Sequence, residues 1–150
     1  VRGATLFDGY LGLPEATATA FTADGWFRTG DVATIAPDGS HQIVGRASVD
    51  LIKSGGYRIG AGEIEGVLLG HAAVAECAVV GVPDDDLGQR IVAFVVPAQQ
   101  PTLWPGEELA AELIDLVVRE LSVHKRPREV RFVDALPRNE MGKVQKTRLT

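Results

Sequence analysis

Lys143 follows a glycine in Leu136-Pro137-Arg138-Asn139-Glu140-Met141-Gly142-Lys143, a segment that proline and glycine keep out of regular structure. A lysine there is a mobile cation, and its compact charge suits a phosphoryl or carboxylate oxygen that is gaining negative charge. Taken alone it reads as a surface lysine. In Thr29-Gly30-Asp31, the ionised Asp31 only accepts hydrogen bonds, which suits the paired hydroxyls of a ribose. An aspartate at such a position more commonly steadies a turn. A third feature is the run from Gly45 to Glu65, which holds five of the chain's 17 glycines among three basic and three acidic residues. Glycine lets a main chain approach a ligand closely or take positive φ, and its entropic cost is out of place in a segment built only for packing. The run reads as a charged strand-and-loop feeding a helix at Glu63-Ile64-Glu65.

Familiar nucleotide templates do not fit that run. Gly60, Gly62 and Gly66 give a pattern one residue too long for a dinucleotide fingerprint, and no G-x-x-x-x-G-K-[ST] exists anywhere. His41, His71 and His124 lack a partner pattern, so core or surface roles outweigh catalytic ones. Cys77 is the one cysteine. It lies inside the apolar run Val74 to Val82 and reads as a small core residue in a reducing compartment. No Cys/His cluster has zinc-ligand spacing, so no metal site is expected.

The positioning elements follow from pattern. Pro14-Glu15 with Ala16, Ala18 and Ala20 suits a short helix that starts at its proline. Phe27 to Ile35 and His41 to Val44 read as strands around the turn Pro37-Asp38-Gly39. Ile64, Val67 and Leu68 share one helix face, with Gly70 as a stop. Val74 to Val82 and Ile91 to Val96 read as buried strands joined by an exposed turn at Pro83-Asp84-Asp85-Asp86. Glu107 to Leu121 is an amphipathic helix with acids in its first turn, and Val130 to Val133 is a further strand. The fold class is α+β from about Arg46 onward, a helix-on-sheet layer. Earlier residues read as a β-rich piece of another domain.

The chain has 150 residues and a net charge of −5, which argues against general nucleic-acid or membrane-surface binding. Its distribution is uneven: nine of the 15 lysines and arginines lie between Arg119 and Arg148, against four acids there. A local basic region can attract one polyanionic small molecule; a solvated charged face is the equal alternative. No apolar run approaches the length of a membrane span and no signal peptide is recognisable, so a cytoplasmic protein is expected. The opening Val1-Arg2-Gly3, without Met, suggests a piece of something longer.

Four motifs, in order and covering nearly the whole chain, together resemble the AMP-forming acyl-CoA synthetases of the adenylate-forming superfamily. They are Gly25-Trp26-Phe27-Arg28-Thr29-Gly30-Asp31, the run from Gly45-Arg46 to Glu65, Gly81-Val82-Pro83-Asp84 with Gly88, and Pro137 to Lys143. The resemblance implies two steps. A carboxylate attacks the α-phosphate of Mg-ATP, giving acyl-AMP and pyrophosphate, and the thiol of CoA then displaces AMP to give a thioester. It also implies a division at residue 45. Residues 1–45 would end a large N-terminal adenylation domain. Residues 46–150 would form a small C-terminal lid, a short mixed sheet flanked by helices and a β-hairpin, which rotates between the steps.

Roles follow by position. Asp31 would hold the ribose hydroxyls and Arg46 would sit near the same sugar. Lys143 would be the adenylation lysine, bridging carboxylate and α-phosphate oxygens. Gly56 would line the pantetheine tunnel, and Lys53, Gly55, Tyr57 and Arg58 would belong to the same CoA-binding side. The hinge falls on Ser48 when counted from Arg46 and nearer Asp50 when counted back from Lys53, because the spacing is one residue longer than the common family pattern. That longer spacing, with the residues from Ser54 to Glu65, looks most like malonyl- or methylmalonyl-CoA synthetases. The pattern around Lys143 also resembles the site at which bacterial members are switched off by a lysine acetyltransferase. The family's phosphate loop and Mg2+-binding glutamate are not in this sequence, so 150 residues alone are not expected to catalyse either step. The alternative is a stand-alone module that binds CoA or a partner domain without catalysis.

Overall fold

The computed structural model of the chain describes residues 1–46, 50–99 and 105–150. Pro14 opens helix α1 (Pro14–Ala20) in the first turn, where its fixed φ and missing N–H suit the helix. Strands β1 (Asp31–Ile35) and β2 (His41–Arg46) form an antiparallel hairpin. At its tip Asp38 Oδ1 accepts the Ser40 N–H at 2.9 Å and Gly39 takes a φ of +85°. The strand expected from Phe27 starts only at Asp31, because Gly30 turns the chain with a φ of +76°. Phe27 instead bridges to Phe21 and packs against Phe7.

Past Arg46 come β3 (Leu51–Ser54), β4 (Tyr57–Gly60), α2 (Ala61–Leu69), β5 (Val74–Asp84), β6 (Gly88–Pro97), α3 (Glu107–Glu120) and β7 (Glu129–Phe132). Five of these strands form a mixed sheet in the order β4-β3-β6-β5. β3 pairs antiparallel with β6 at its start, and β7 pairs parallel with it further on. The longest ladder of the sheet joins β6 to the edge strand β5, and its register runs from Val74 opposite Pro97 to Asp84 opposite Gly88. The two apolar runs seen in the sequence are thus one hairpin. Asp84 Oδ1 closes its turn by accepting the N–H groups of Asp86 and Leu87 at 3.1 and 2.9 Å.

Alternation along these strands divides the core in two, since successive strand side chains point to opposite faces. On one face Val79, Ile91, Ala93 and Val95 meet Ile64 and Leu68 of α2 and Leu109, Leu113 and Val117 of α3, all buried. On the other face Ala78, Val80, Val92 and Phe94 meet Leu136, with Val144 and Leu149 packed against them. Helices therefore cover one face of the sheet, and the C-terminal segment covers the other. Burial of Leu136 and Val144 on either side of the segment fixes the loop that carries Lys143. The α+β class, mixed sheet and antiparallel hairpin are as expected. Gly70 ends α2 without a left-handed turn, its φ being −73°.

Candidate functional site

The β1–β2 ladder sets Arg46 directly opposite Asp31. The Arg46 guanidinium reaches across that pairing, with Nε 3.0 Å from Asp31 Oδ1 and one terminal nitrogen donating to the Thr29 carbonyl at 2.8 Å. The result is a carboxylate at a hairpin edge, held by a cation and still partly exposed.

Asp50 lies just past this pair, and its carboxylate is divided between two partners. Oδ2 accepts the Arg46 backbone N–H at 2.8 Å, and Oδ1 accepts from Lys146 Nζ at 2.5 Å. Burial opposes the Asp50 charge most strongly. The Lys146 hydrogen bond and the Arg46 N–H outweigh it, Lys143 adds its field, and the carboxyl sits below its ordinary range. Gly45 makes room for this arrangement. A Cβ there would lie 2.5 Å from the Asp50 Cβ, and its φ is +149°. Ser48, the other hinge candidate, lies outside the described residues.

Lys143 stands at the end of a hydrogen-bonded arch. Asn139 and Lys143 pair through backbone N–H to O at 2.9 Å, and Gly142 donates to the Asn139 carbonyl at 2.9 Å with a φ of +80°. Asn139 Oδ1 accepts from the Met141 and Lys143 N–H groups at 3.1 and 2.8 Å. Arg138 ties the arch to the sheet, donating to the Gly142 carbonyl and to Glu76 of β5, both at 2.6 Å. The expected loop is thus a fixed turn, not a floppy one. Arg46, Asp50, Asn139, Lys143 and Lys146 together line a cleft of about 480 Å³. An exposed lysine and an arginine line the same solvent-open space there, a setting suited to an anion.

The glycine-rich run folds into a second hairpin, β3–β4. Gly55 and Gly56 form its two-residue turn with φ of +55° and +84°. Both central residues need positive φ in this tight turn, which is why glycine stands at both. Pairing puts Lys53 opposite Arg58 on one face, and Ser54 opposite Tyr57 on the other. Gly55 and Tyr57 border a cleft of about 350 Å³ with His124, Arg126 and Arg128. The Tyr57 and His124 rings stack at 4.3 Å. The structure therefore gathers Gly55 and Tyr57 in one place and points Lys53 and Arg58 away from it. Gly56 lies at the tip, with nothing within 4 Å of where a Cβ would be.

Residues 63–143 match the family model described as the AMP-binding enzyme C-terminal domain. This chain belongs to that family. The malonate–CoA ligase ACSF3 of Bos taurus, a mitochondrial protein, is 46% identical over 97% of the chain and 24% of its own length. ATP-bound MatB from Rhodopseudomonas palustris superposes with a TM-score of 0.82 at 38% identity, over 99% of the chain and 28% of MatB. Apo MatB from the same organism gives 0.74 at 39% identity, with the same coverage of both chains. The chain spans about a quarter of the length of the curated relatives it matches.

For an AMP-binding enzyme C-terminal domain, the two clefts hold Arg46, Asp50, Lys143, Gly55 and Tyr57 of the residues singled out from sequence, and four more; Asp31, Lys53, Gly56 and Arg58 line neither. Lys146, His124, Arg126 and Arg128 are passed over by sequence reasoning. Lys146 binds a carboxylate 96 positions away, and no spacing rule announces that contact. His124 needs the β3–β4 turn to bring Tyr57 to it. Arg126 and Arg128 are visible only as part of a basic region. No helix among the described residues is long and apolar enough to cross a membrane. Among the described residues no group of three or more His, Cys, Asp or Glu could hold a metal ion.

Proposed function

We propose that this chain is the lid, and the end of the adjoining domain, of an AMP-forming acyl-CoA ligase acting on a short dicarboxylate such as malonate or methylmalonate. Residues 1–45 end the adenylation domain and 46–150 form the lid, with the junction between Arg46 and Asp50. The observation that carries the reading is the shared cleft of Lys143, Arg46 and Asp50, with Asp31 paired to Arg46 beside it. That arrangement suits the first half-reaction. A carboxylate oxygen attacks the α-phosphorus of ATP, pyrophosphate leaves with its bonding electrons, and Lys143 Nζ offsets charge on the oxygens around the phosphorus. Asp31 accepts from the ribose hydroxyls.

The second cleft suits CoA. The Tyr57–His124 stack offers a flat aromatic surface, and Arg126 and Arg128 offer charge for phosphates. The Gly55-Gly56 tip leaves room for a thin pantetheine arm, and Lys53 and Arg58 flank it on the far face of the hairpin. In the second half-reaction the thiol attacks the acyl carbon and AMP departs. Mg2+ would be held outside this chain, whose described residues do not form a fitting ligand set. The exposure of Lys143 supports it as the target of a lysine acetyltransferase, since acetylation would remove the charge the first step uses. The half-buried, lone Cys77 supports a reducing compartment such as the cytoplasm.

Lys143→Ala in the intact enzyme tests the reading. Acid-dependent ATP–pyrophosphate exchange should fall by about 100-fold or more, while CoA transfer from supplied acyl-adenylate stays largely intact. Equal loss of both half-reactions would refute the role given to Lys143. A panel of malonate, methylmalonate, acetate and longer acids in the exchange assay identifies the substrate.

A further inference from the structure

Lys146 lies three residues past Lys143 but has a different environment. Its side chain is only 16% exposed, and Nζ lies 2.5 Å from Asp50 Oδ1 and 2.8 Å from Glu65 Oε1. Its charge is therefore committed to two carboxylates and does not face the cleft as a spare cation. Glu65 Oε1 also accepts the Val79 N–H at 2.7 Å, which anchors that arm to the sheet. The Asp50 arm leads elsewhere. The second oxygen of Asp50 holds the Arg46 N–H at 2.8 Å, and Arg46 in turn holds Asp31 at 3.0 Å. A continuous chain of charge-assisted contacts thus runs from the C-terminal segment to the edge of the β1–β2 hairpin.

We propose that Lys146 is a positioning residue for acyl-adenylate formation, acting through Asp50 on the Arg46 backbone to set the Arg46–Asp31 pair at the cleft that Lys143 lines. The proposal rests on the reading of Lys143 given above. The physical case is the geometry of one ammonium between two carboxylates. Without the cation, Asp50 and Glu65 would face each other as like charges in a partly buried place, and Asp50 would turn away. The Arg46 N–H would lose its acceptor, and the guanidinium would lose its fixed base. The chain can hold only while Arg46 and Asp50 keep this relative placement. It therefore belongs to one arrangement of the junction and favours one half-reaction.

The test uses the intact enzyme carrying Lys146→Met, Lys146→Arg, Asp50→Asn or Glu65→Gln, with Lys143→Ala as the reference. Each is read by pyrophosphate exchange, by CoA transfer from supplied acyl-adenylate, and by melting temperature. Lys146→Met and Asp50→Asn should each lower exchange kcat/KM by about tenfold or more and change transfer by less than about threefold. Their double variant should be no worse than either alone, because the two act in one chain. Lys146→Arg should recover most of the exchange. Glu65→Gln should lower the melting temperature but keep the exchange, since its arm ends in the sheet. Should Lys146→Met fail to fold, the contrast between Asp50→Asn and Glu65→Gln decides alone. The proposal is overturned by full exchange in Asp50→Asn, by parallel loss of both half-reactions, or by equal damage from Glu65→Gln. Full exchange in Lys143→Ala would overturn the parent reading and this proposal with it, whereas its loss there alone overturns only this one.

Discussion

Single residues of the same type do different work here, and burial with partnership decides which. Lys143 is exposed on its arch, whereas Lys146 is enclosed. Burial works against the Lys146 charge, yet the hydrogen bonds it donates to Asp50 and Glu65 hold its pKa above the ordinary lysine value. Asp50 moves the opposite way, so the pair is linked to pH with two signs. The Asp50 contribution is present above the ordinary aspartate value of 3.8 and is lost on acidification below it; that of Lys146 is lost only above its ordinary 10.5. Cys77 shows burial winning over a nearby cation, since the Lys146 charge favours its thiolate and is outweighed. Burial, then the nearby Glu65 charge, pushes its thiol up to about 12. At pH 8 the folded protein should therefore react with a thiol reagent about 1,000-fold more slowly than the urea-unfolded chain, because only the thiolate is nucleophilic. Prompt labelling of one thiol per folded chain would contradict that placement. The sequence already spoke for this residue, since a lone cysteine within the mainly apolar Val74 to Val82 run belongs to the sheet.

At the scale of elements, the long apolar segments were the readable ones. Ile91 to Val96 could only be a strand buried on both faces, and Leu109, Leu113 and Val117 could only be one helix stripe. The β3–β4 hairpin was hidden by its own charges. Its strands are four residues each, and Lys53 and Arg58 interrupt the apolar pattern that Ile52 and Ile59 maintain on the buried face. Gly55-Gly56 between two short runs was the available signal. The arch at Asn139 to Lys143 was legible as a turn, but its tether was not, because Arg138 and Glu76 are 62 positions apart. That tether carries a prediction. Arg138→Ala removes both the Glu76 contact and the donor to the Gly142 carbonyl, so Lys143 should lose its fixed placement. Exchange kcat/KM should fall by about 10- to 100-fold, the cost of a small misplacement of a catalytic group. Transfer from supplied acyl-adenylate should change little. An unaltered exchange rate would show that the asparagine turn alone positions the lysine.

Over the whole molecule, charge is arranged against the net balance. The chain is acidic overall, at −5, but its C-terminal fifth is basic, and the fold brings part of that excess beside the Tyr57–His124 stack. Pro127, fully buried, fixes the chain between Arg126 and Arg128, and the Arg128 N–H is held by the Ile91 carbonyl at 2.8 Å. Two cations are thereby presented to one cleft from a fixed backbone. Such a patch should draw in a polyanion such as CoA over distances comparable to a Debye length, about 8 Å at physiological ionic strength. For the intact enzyme, kcat/KM for CoA should therefore fall as salt rises, at constant saturating ATP and acid. Arg126→Ala combined with Arg128→Ala should lower that constant by about tenfold at low salt and flatten its salt dependence, because each arginine supplies part of the attraction. Pyrophosphate exchange, which does not use CoA, should keep its rate in the double variant. A salt slope for CoA that survives the loss of both arginines would place the phosphate contacts elsewhere in the intact enzyme.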